Sequence, residues 1–131
     1  MKDLLFSEFQ DTVAESLIRH KSVLDGMTKL QESISRVNRA MAKSVTTCGC
    51  IQIVAEKHVI PEGLNLTQLR DMLDSDIRGT LCDQCRETLE SEMGTSLFYI
   101  TAVMNALGLS LYDCLLEEHQ RVKTLGVFNV T

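Results

Sequence analysis

Apolar residues recur at steps of three or four along the first third of the chain, which is the spacing of one helical face. The stripe predicts either one long helix or a helical hairpin within residues 1–45, and its period is close to that of a coiled-coil seam. A single helix of 40 residues would be about 60 Å long, so we favour a break between residues 22 and 28, near Gly26. The stripe comprises Phe6, Phe9, Val13, Leu17, His20, Leu24, Met27, Leu30, Ile34, Val37, Met41 and Val45.

The pattern changes in residues 46–81, which contain two cysteines and then a short alternating run. Ile51, Ile53 and Ala55 alternate with Gln52, Val54 and Glu56, which predicts a short strand. A Pro-Glu-Gly turn follows at 61–63, and the capping residues Asn65 and Gln68 predict a short helix from Leu66 to about Leu73. We expect residues 74–80 to form a loop.

Helical spacing returns in residues 82–126, for which we predict a helical hairpin. The first helix opens at Cys82 and ends at Gly108, and the second begins at Ser110. The first of these two helices has an apolar stripe of Leu89, Met93, Leu97, Ile100, Met104 and Leu107. No composition shift marks a linker, so we expect one domain over residues 1–131.

Composition agrees with a helical globular protein. Hydrophobic residues make up 44% and charged residues 24% of the chain, Trp is absent and Pro occurs once, whereas helix-forming residues are abundant. The predicted fold class is therefore all-α, with a bundle of four to five helices and a short β-like segment after Cys50. Because the long stripe is more apolar than one small monomer readily covers, we expect a homodimer joined through helices.

Charge narrows the range of partners. The formal net charge is −5, which makes sequence-independent binding to nucleic acid unfavourable. The first residues are acidic where a signal peptide would be basic, and no run reaches the ~18 apolar residues of a membrane span. These features predict a cytoplasmic protein without membrane association, in a compartment that keeps thiols reduced.

Two cysteine pairs make the strongest chemical statement in the chain. Cys48 and Cys50 flank one glycine, and Cys82 and Cys85 form a second pair at the start of a predicted helix. Four thiolates with this spacing predict a tetrahedral zinc site with a closed ligand shell, hence a structural zinc clamp between the two halves of the chain. We expect Gly49 to take a positive φ that turns both sulfurs toward one ion.

Other uses of the cysteines stay open at this point. A redox dithiol or a thiol or metal sensor would also use a Cys-x-x-Cys pair, and the cysteines could carry no ligand at all. His58 could replace one cysteine ligand. Cys114 falls on the apolar side of the last helix, where core packing is the expected role.

Carboxylates on the helix after Cys85 suggest a second chemistry. Glu87 and Glu90 are three residues apart and therefore neighbours on one helical face, with Glu92 close by. Such a group could hold Mg²⁺ between facing helices. The alternative is a solvated acidic face without function.

A window in this region resembles the C-terminal half of MazG-like proteins, a family of all-α nucleoside triphosphate pyrophosphohydrolases. The similar segments are SEMGTSLFYI at 91–100, NALGLSL at 105–111 and LLEE at 115–118. The resemblance implies a helical fold and an Mg²⁺-dependent activity on nucleotides, with Glu92 in the position of one metal-binding glutamate. Outside this window the chain is similar to an uncharacterised bacterial family.

The chain departs from the family pattern where the chemistry would reside. Thr95 stands at the family's aspartate position and Ser91 at that of a preceding glutamate, and a hydroxyl cannot supply a carboxylate's charge. We therefore expect a non-catalytic interaction or regulatory relative of MazG-like proteins. The alternative is an Mg²⁺-dependent pyrophosphohydrolase that uses Glu87, Glu90 and Glu92 in an altered arrangement.

Overall fold

The computed structural model describes residues 2–16, 22–73 and 75–125, and it confirms the all-α fold class. A two-stranded antiparallel ribbon interrupts the helices. In chain order the elements are α1 (Lys2–Ser16), α2 (Val23–Lys43), β1 (Ile51–Ile53), α3 (Leu66–Met72), β2 (Ile77–Gly79), α4 (Asp83–Leu107) and α5 (Leu111–Leu125).

The long N-terminal stripe is divided between α1 and α2. Ser22 precedes α2 in an extended conformation, with φ −69° and ψ 127°, so no continuous helix runs through it. Gly26 lies inside α2 and is buried, and is therefore not the break itself. Leu17 and His20 of the stripe lie outside the described residues.

The central unit is the antiparallel pair of α2 and α4, which pack closely because small residues line their seam. Gly26 faces Val103, and a Cβ at position 26 would lie 3.4 Å from a methyl group of Val103. Ser33 and Ser96 are buried farther along the two helices. Their hydroxyls donate to the Leu30 and Glu92 carbonyls of their own helices, so neither polar group is left unsatisfied.

Helix α1 packs against α4 through a small apolar cluster. Val13 is 1% exposed and contacts Ala102, with Phe9 and Phe98 at its edge. These contacts confirm the N-terminal part of the predicted stripe as a core-facing surface.

A glutamine fixes α1 to the junction between α4 and α5. The Gln10 amide donates to Asn105 Oδ1 at 2.8 Å and to the Leu109 carbonyl at 2.7 Å, and its oxygen accepts from the Leu111 amide at 2.9 Å. Asn105 donates back to the Gln10 carbonyl. One side chain thus satisfies backbone groups at the end of α4 and the start of α5.

Helices α4 and α5 diverge at Gly108, which ends α4 in the left-handed conformation with φ 72°. The bend is 109°, so α5 leaves α4 at an angle and packs on α1, where Phe6 and Tyr112 are in ring contact. Within the described ranges no single helix is long and apolar enough to span a membrane. Among the described helices, the bent α4–α5 pair reaches that length and composition when the two are taken together.

The connection between α2 and α4 holds the remaining elements. The predicted capping box of α3 is confirmed, because the Gln68 amide donates to Asn65 and the Gln68 side chain accepts from the Asn65 amide. The predicted loop over residues 74–80 is wrong in its second half. Residues 77–79 form β2, which pairs with the expected strand β1. The assignment of residues 1–131 to one domain stays a prediction.

Candidate metal centre

The end of α2 widens into a π-helical turn over Ser44–Cys48. The Gly49 amide donates to the Ser44 carbonyl at 2.9 Å, a bond that spans five residues. Gly49 has φ 78° and ψ 11°, as predicted for this position. The left-handed residue reverses the chain between Cys48 and Cys50, so both thiols lie at the same end of α2.

The β1–β2 ribbon brings the second pair of cysteines back to the first. Ile51 pairs with Gly79, so the strand that precedes Cys82 runs directly beside Cys50. Gly79 has φ 90°, and a Cβ there would lie 2.5 Å from the Cys50 carbonyl oxygen. Only glycine allows this approach, and sequence reasoning missed it because residues 74–80 resembled a loop.

The second pair occupies the N-terminus of α4. Cys82 is the N-cap residue, and its sulfur accepts a hydrogen bond from the Cys85 amide at 3.4 Å. The partial positive charge of a helix N-terminus favours thiolates at this place. The local structure therefore prepares Cys82 to be a metal ligand.

The four cysteine sulfurs form one cluster, with every Sγ within 4.8 Å of the others. The Sγ atoms of Cys48 and Cys82 are 3.7 Å apart. A tetrahedron with Zn–S bonds of about 2.3 Å has edges of about 3.8 Å, whereas a disulfide bond is about 2.05 Å long. The cluster could hold a metal ion with little rearrangement, and its spacing alone does not select which metal.

The thiols of the metal-free cluster have unequal pKa values. The hydrogen bonds from the Cys85 amide and side chain lower the pKa of Cys82 to about 7. The Ser44 hydroxyl is the largest influence on Cys85 and lowers its pKa, but the other three thiols and lost solvation together raise it to about 12. The Cys50 amide is the largest influence on Cys48 and lowers its pKa, but the Cys82 and Cys50 thiols and lost solvation raise it, and the net shift is upward.

Ser44 joins the cluster to the helix pair and was not singled out from the sequence. Its side chain is 1% exposed and donates to the Ala40 carbonyl at 3.0 Å, and its hydroxyl acts to lower the pKa of the Cys85 thiol. Its carbonyl accepts from both Gly49 and the Cys50 thiol. A serine just before a cysteine-containing turn is too common a pattern to have indicated this role.

The structure does not gather the candidate carboxylates. Glu87 and Glu90 are exposed on α4, whereas Glu92 is half-buried and its Oε2 is buried without a hydrogen-bond partner among the described residues. In the described segments, the cysteine quartet is the one group of three or more His, Cys, Asp or Glu side chains placed to share an ion.

The remaining candidates lie elsewhere. His58 lines a hollow beside α3 and β2 and is not part of the sulfur cluster. Cys114 is half-buried on α5 and also lies outside the cluster.

Fold and site together define a small helical protein with a four-cysteine cluster that could bind a metal ion. The chain matches no protein-family model, no curated protein and no solved structure.

Proposed function

We propose that this protein is a small zinc-binding helical protein that acts through interaction or regulation and not through catalysis. The observation that carries the proposal is the closed set of four sulfurs from two distant segments. Soft thiolate ligands in tetrahedral geometry select Zn²⁺ or iron–sulfur chemistry over Mg²⁺ or Ca²⁺. A reducing cytoplasmic setting completes the proposal, since it keeps the thiols free for metal.

Zinc at this place has a structural consequence. The four ligands come from the end of α2, the start of β1 and the start of α4, so one ion would fasten the central helix pair at one end. A site with four protein ligands leaves no open position for water or substrate. The metal would therefore have a structural role and would hold the surfaces of α2 and α4 in place.

The positions of the carboxylates support a non-catalytic role. A nucleotide-bound Mg²⁺ needs several carboxylate oxygens on one site, but Glu87 and Glu90 are exposed and do not cluster with Glu92. Thr95 stands at the aspartate position of MazG-like proteins. Its hydroxyl donates to the Ser91 carbonyl, so its hydrogen bond stays within its own helix. A divergent relationship to that family, with its catalytic site lost, belongs to the same proposal.

Nucleotide hydrolysis provides the test of this proposal. The zinc-loaded protein is incubated with a panel of nucleoside triphosphates and Mg²⁺ or Mn²⁺, and pyrophosphate release is measured. We expect release no faster than in the buffer blank. Release that disappears in Glu92→Gln but persists in Glu117→Gln, a matched change on exposed α5, would overturn the proposal in favour of a pyrophosphohydrolase.

A further inference from the structure

Helix α2 carries a second apolar face in addition to its seam with α4. Leu24, Met27, Ile34 and Met41 are 71%, 55%, 46% and 42% exposed. Met27, Ile34 and Met41 follow one another at intervals of seven residues, and Leu24 precedes Met27 by three. This is the heptad spacing of a coiled-coil seam. Met27 and Ile34 directly follow the buried residues Gly26 and Ser33, and Met41 directly follows Ala40, which lines a hollow with Cys85 and Thr88. This face therefore lies about 100° around α2 from its seam with α4.

Helix α4 repeats the arrangement. Met93, Leu97 and Leu107 are 46%, 56% and 60% exposed, and Ile100 and Met104 between them are half-buried. These are five of the six residues of the apolar stripe that the sequence predicts for this helix, and the sixth, Leu89, is buried. Leu97 follows the buried Ser96 by one position, just as Ile34 follows the buried Ser33 on α2.

The two faces lie on the same side of the helix pair. Because α2 and α4 are antiparallel and each face is turned from the shared seam by the same rotation, both point away from the pair in one direction. The opposite side agrees with this geometry, since Lys29 and Arg36 of α2 share a groove there with Thr95 of α4. The exposed apolar residues of α2 and α4 therefore form one continuous surface, which we call the α2–α4 face.

The chemistry of the α2–α4 face fits an apolar partner. No charged residue occurs between positions 93 and 112. The polar positions within the α2 stripe are Gln31 and Asn38, which are uncharged and stand where polar residues set register in coiled coils. Interfaces between subunits are depleted of charge at their centre in the same way.

The exposed area of the chain is larger than that of a compact monomer of its mass. A folded monomer of 14.7 kDa exposes about 6,900 Å², whereas this chain exposes 10245 Å². The exposed connection between β1 and α3 contributes to this excess, which is large enough to include the ~1,000–2,500 Å² that each chain buries in an obligate homodimer. We propose that a second copy of this chain covers the α2–α4 face, so that two helix pairs pack face to face as a four-helix bundle.

The molar mass of the full chain in solution tests this proposal. We expect light scattering to give twice 14.7 kDa over a wide range of concentration. Leu97→Glu places a charge in the middle of the α2–α4 face and should weaken the dimer by about thirtyfold or more. Ser91→Glu adds the same charge at an exposed position of the same helix away from the face, and should leave the dimer intact.

A second measurement uses the unaltered protein and does not depend on how a variant folds. Peroxide oxidation followed by mass spectrometry compares Met27, Met41 and Met93 on the face with Met72, which is 52% exposed on α3. We expect the first three to be oxidised more slowly than Met72 at concentrations where the dimer forms. A monomeric wild type, oxidation of all four at one rate, or equal effects of Leu97→Glu and Ser91→Glu would each overturn the proposal.

Discussion

The sulfur atoms of Cys48 and Cys82 lie 3.7 Å apart, close to the edge length of a tetrahedral zinc–thiolate site. One belongs to the turn that ends α2 and the other caps α4. The β1–β2 ribbon returns the chain between them, so the separation depends on how closely β2 passes β1.

Gly79→Ala should disrupt the cluster. Alanine at φ 90° is strained, and its Cβ would lie 2.5 Å from the Cys50 carbonyl oxygen, so the ribbon must shift. Backbone strain of this kind costs about 1–3 kcal/mol. We expect lower thermal stability and weaker zinc binding, measured by competition with a chromophoric chelator.

Gly63→Ala is the matched control for that variant. Gly63 has φ 84° but no atom within 4 Å of a Cβ, so alanine there adds backbone strain without a clash. Its zinc affinity should equal that of the wild type. Equal zinc affinities for Gly79→Ala and the wild type would show that the close approach to Cys50 does not position the cluster.

Ser44→Ala should weaken metal binding while the fold persists. The variant loses the hydroxyl that donates to the Ala40 carbonyl and that acts to lower the pKa of Cys85. Residues that support metal ligands in this way typically contribute about 10- to 100-fold to metal affinity. Ser35→Ala removes a similar hydroxyl, which donates to the Gln31 carbonyl on an exposed part of α2, and should have no effect on affinity.

Thiol alkylation should follow the order of the pKa values in the metal-free, reduced protein. Cys82, with a pKa of about 7, should react fastest near neutral pH, and its rate should level off above that pH. Cys85, with a pKa of about 12, should react slowly and keep accelerating as the pH rises. Peptide mapping after iodoacetamide treatment measures both rates, and a faster Cys85 at neutral pH would contradict the geometry.

Metal removal should loosen one end of the molecule before the other. Because a metal that binds only the folded state contributes its binding free energy to stability, chelation should raise amide exchange in β1, β2 and the adjoining ends of α2 and α4. The junction around Gln10 and Asn105 is held by hydrogen bonds that do not involve the cysteines. Its amides should therefore keep their protection from exchange. Uniform loss of protection throughout the described helices would show that the site supports the whole fold.

Local signals in the sequence predicted local structure well. The left-handed Gly49, the capping box of Asn65 and Gln68, and the placement of Cys82 at a helix start each follow from a few neighbouring residues. Gly79 was missed because its constraint comes from Cys50, far away in the chain. A close approach between distant segments leaves no local pattern.

For the helical stripes, the sequence predicted the apolar faces but not the neighbours that cover them. Apolar spacing predicted faces on α2 and α4, but the buried residues along these two helices include the small residues Gly26, Ser33 and Ser96. The larger residues Ile34 and Leu97 remain exposed beside them. Periodicity identifies an apolar face, but it does not say which neighbour covers that face.

The most direct measurement of the central claim is the metal content of the protein purified without chelator. Elemental analysis should find about one zinc per chain, as expected for four thiolates around one ion. Cys82→Ser should lose most of it, whereas Cys114→Ser, outside the cluster, should retain it. Wild-type protein without zinc, or with the same zinc content as Cys82→Ser, would contradict the account.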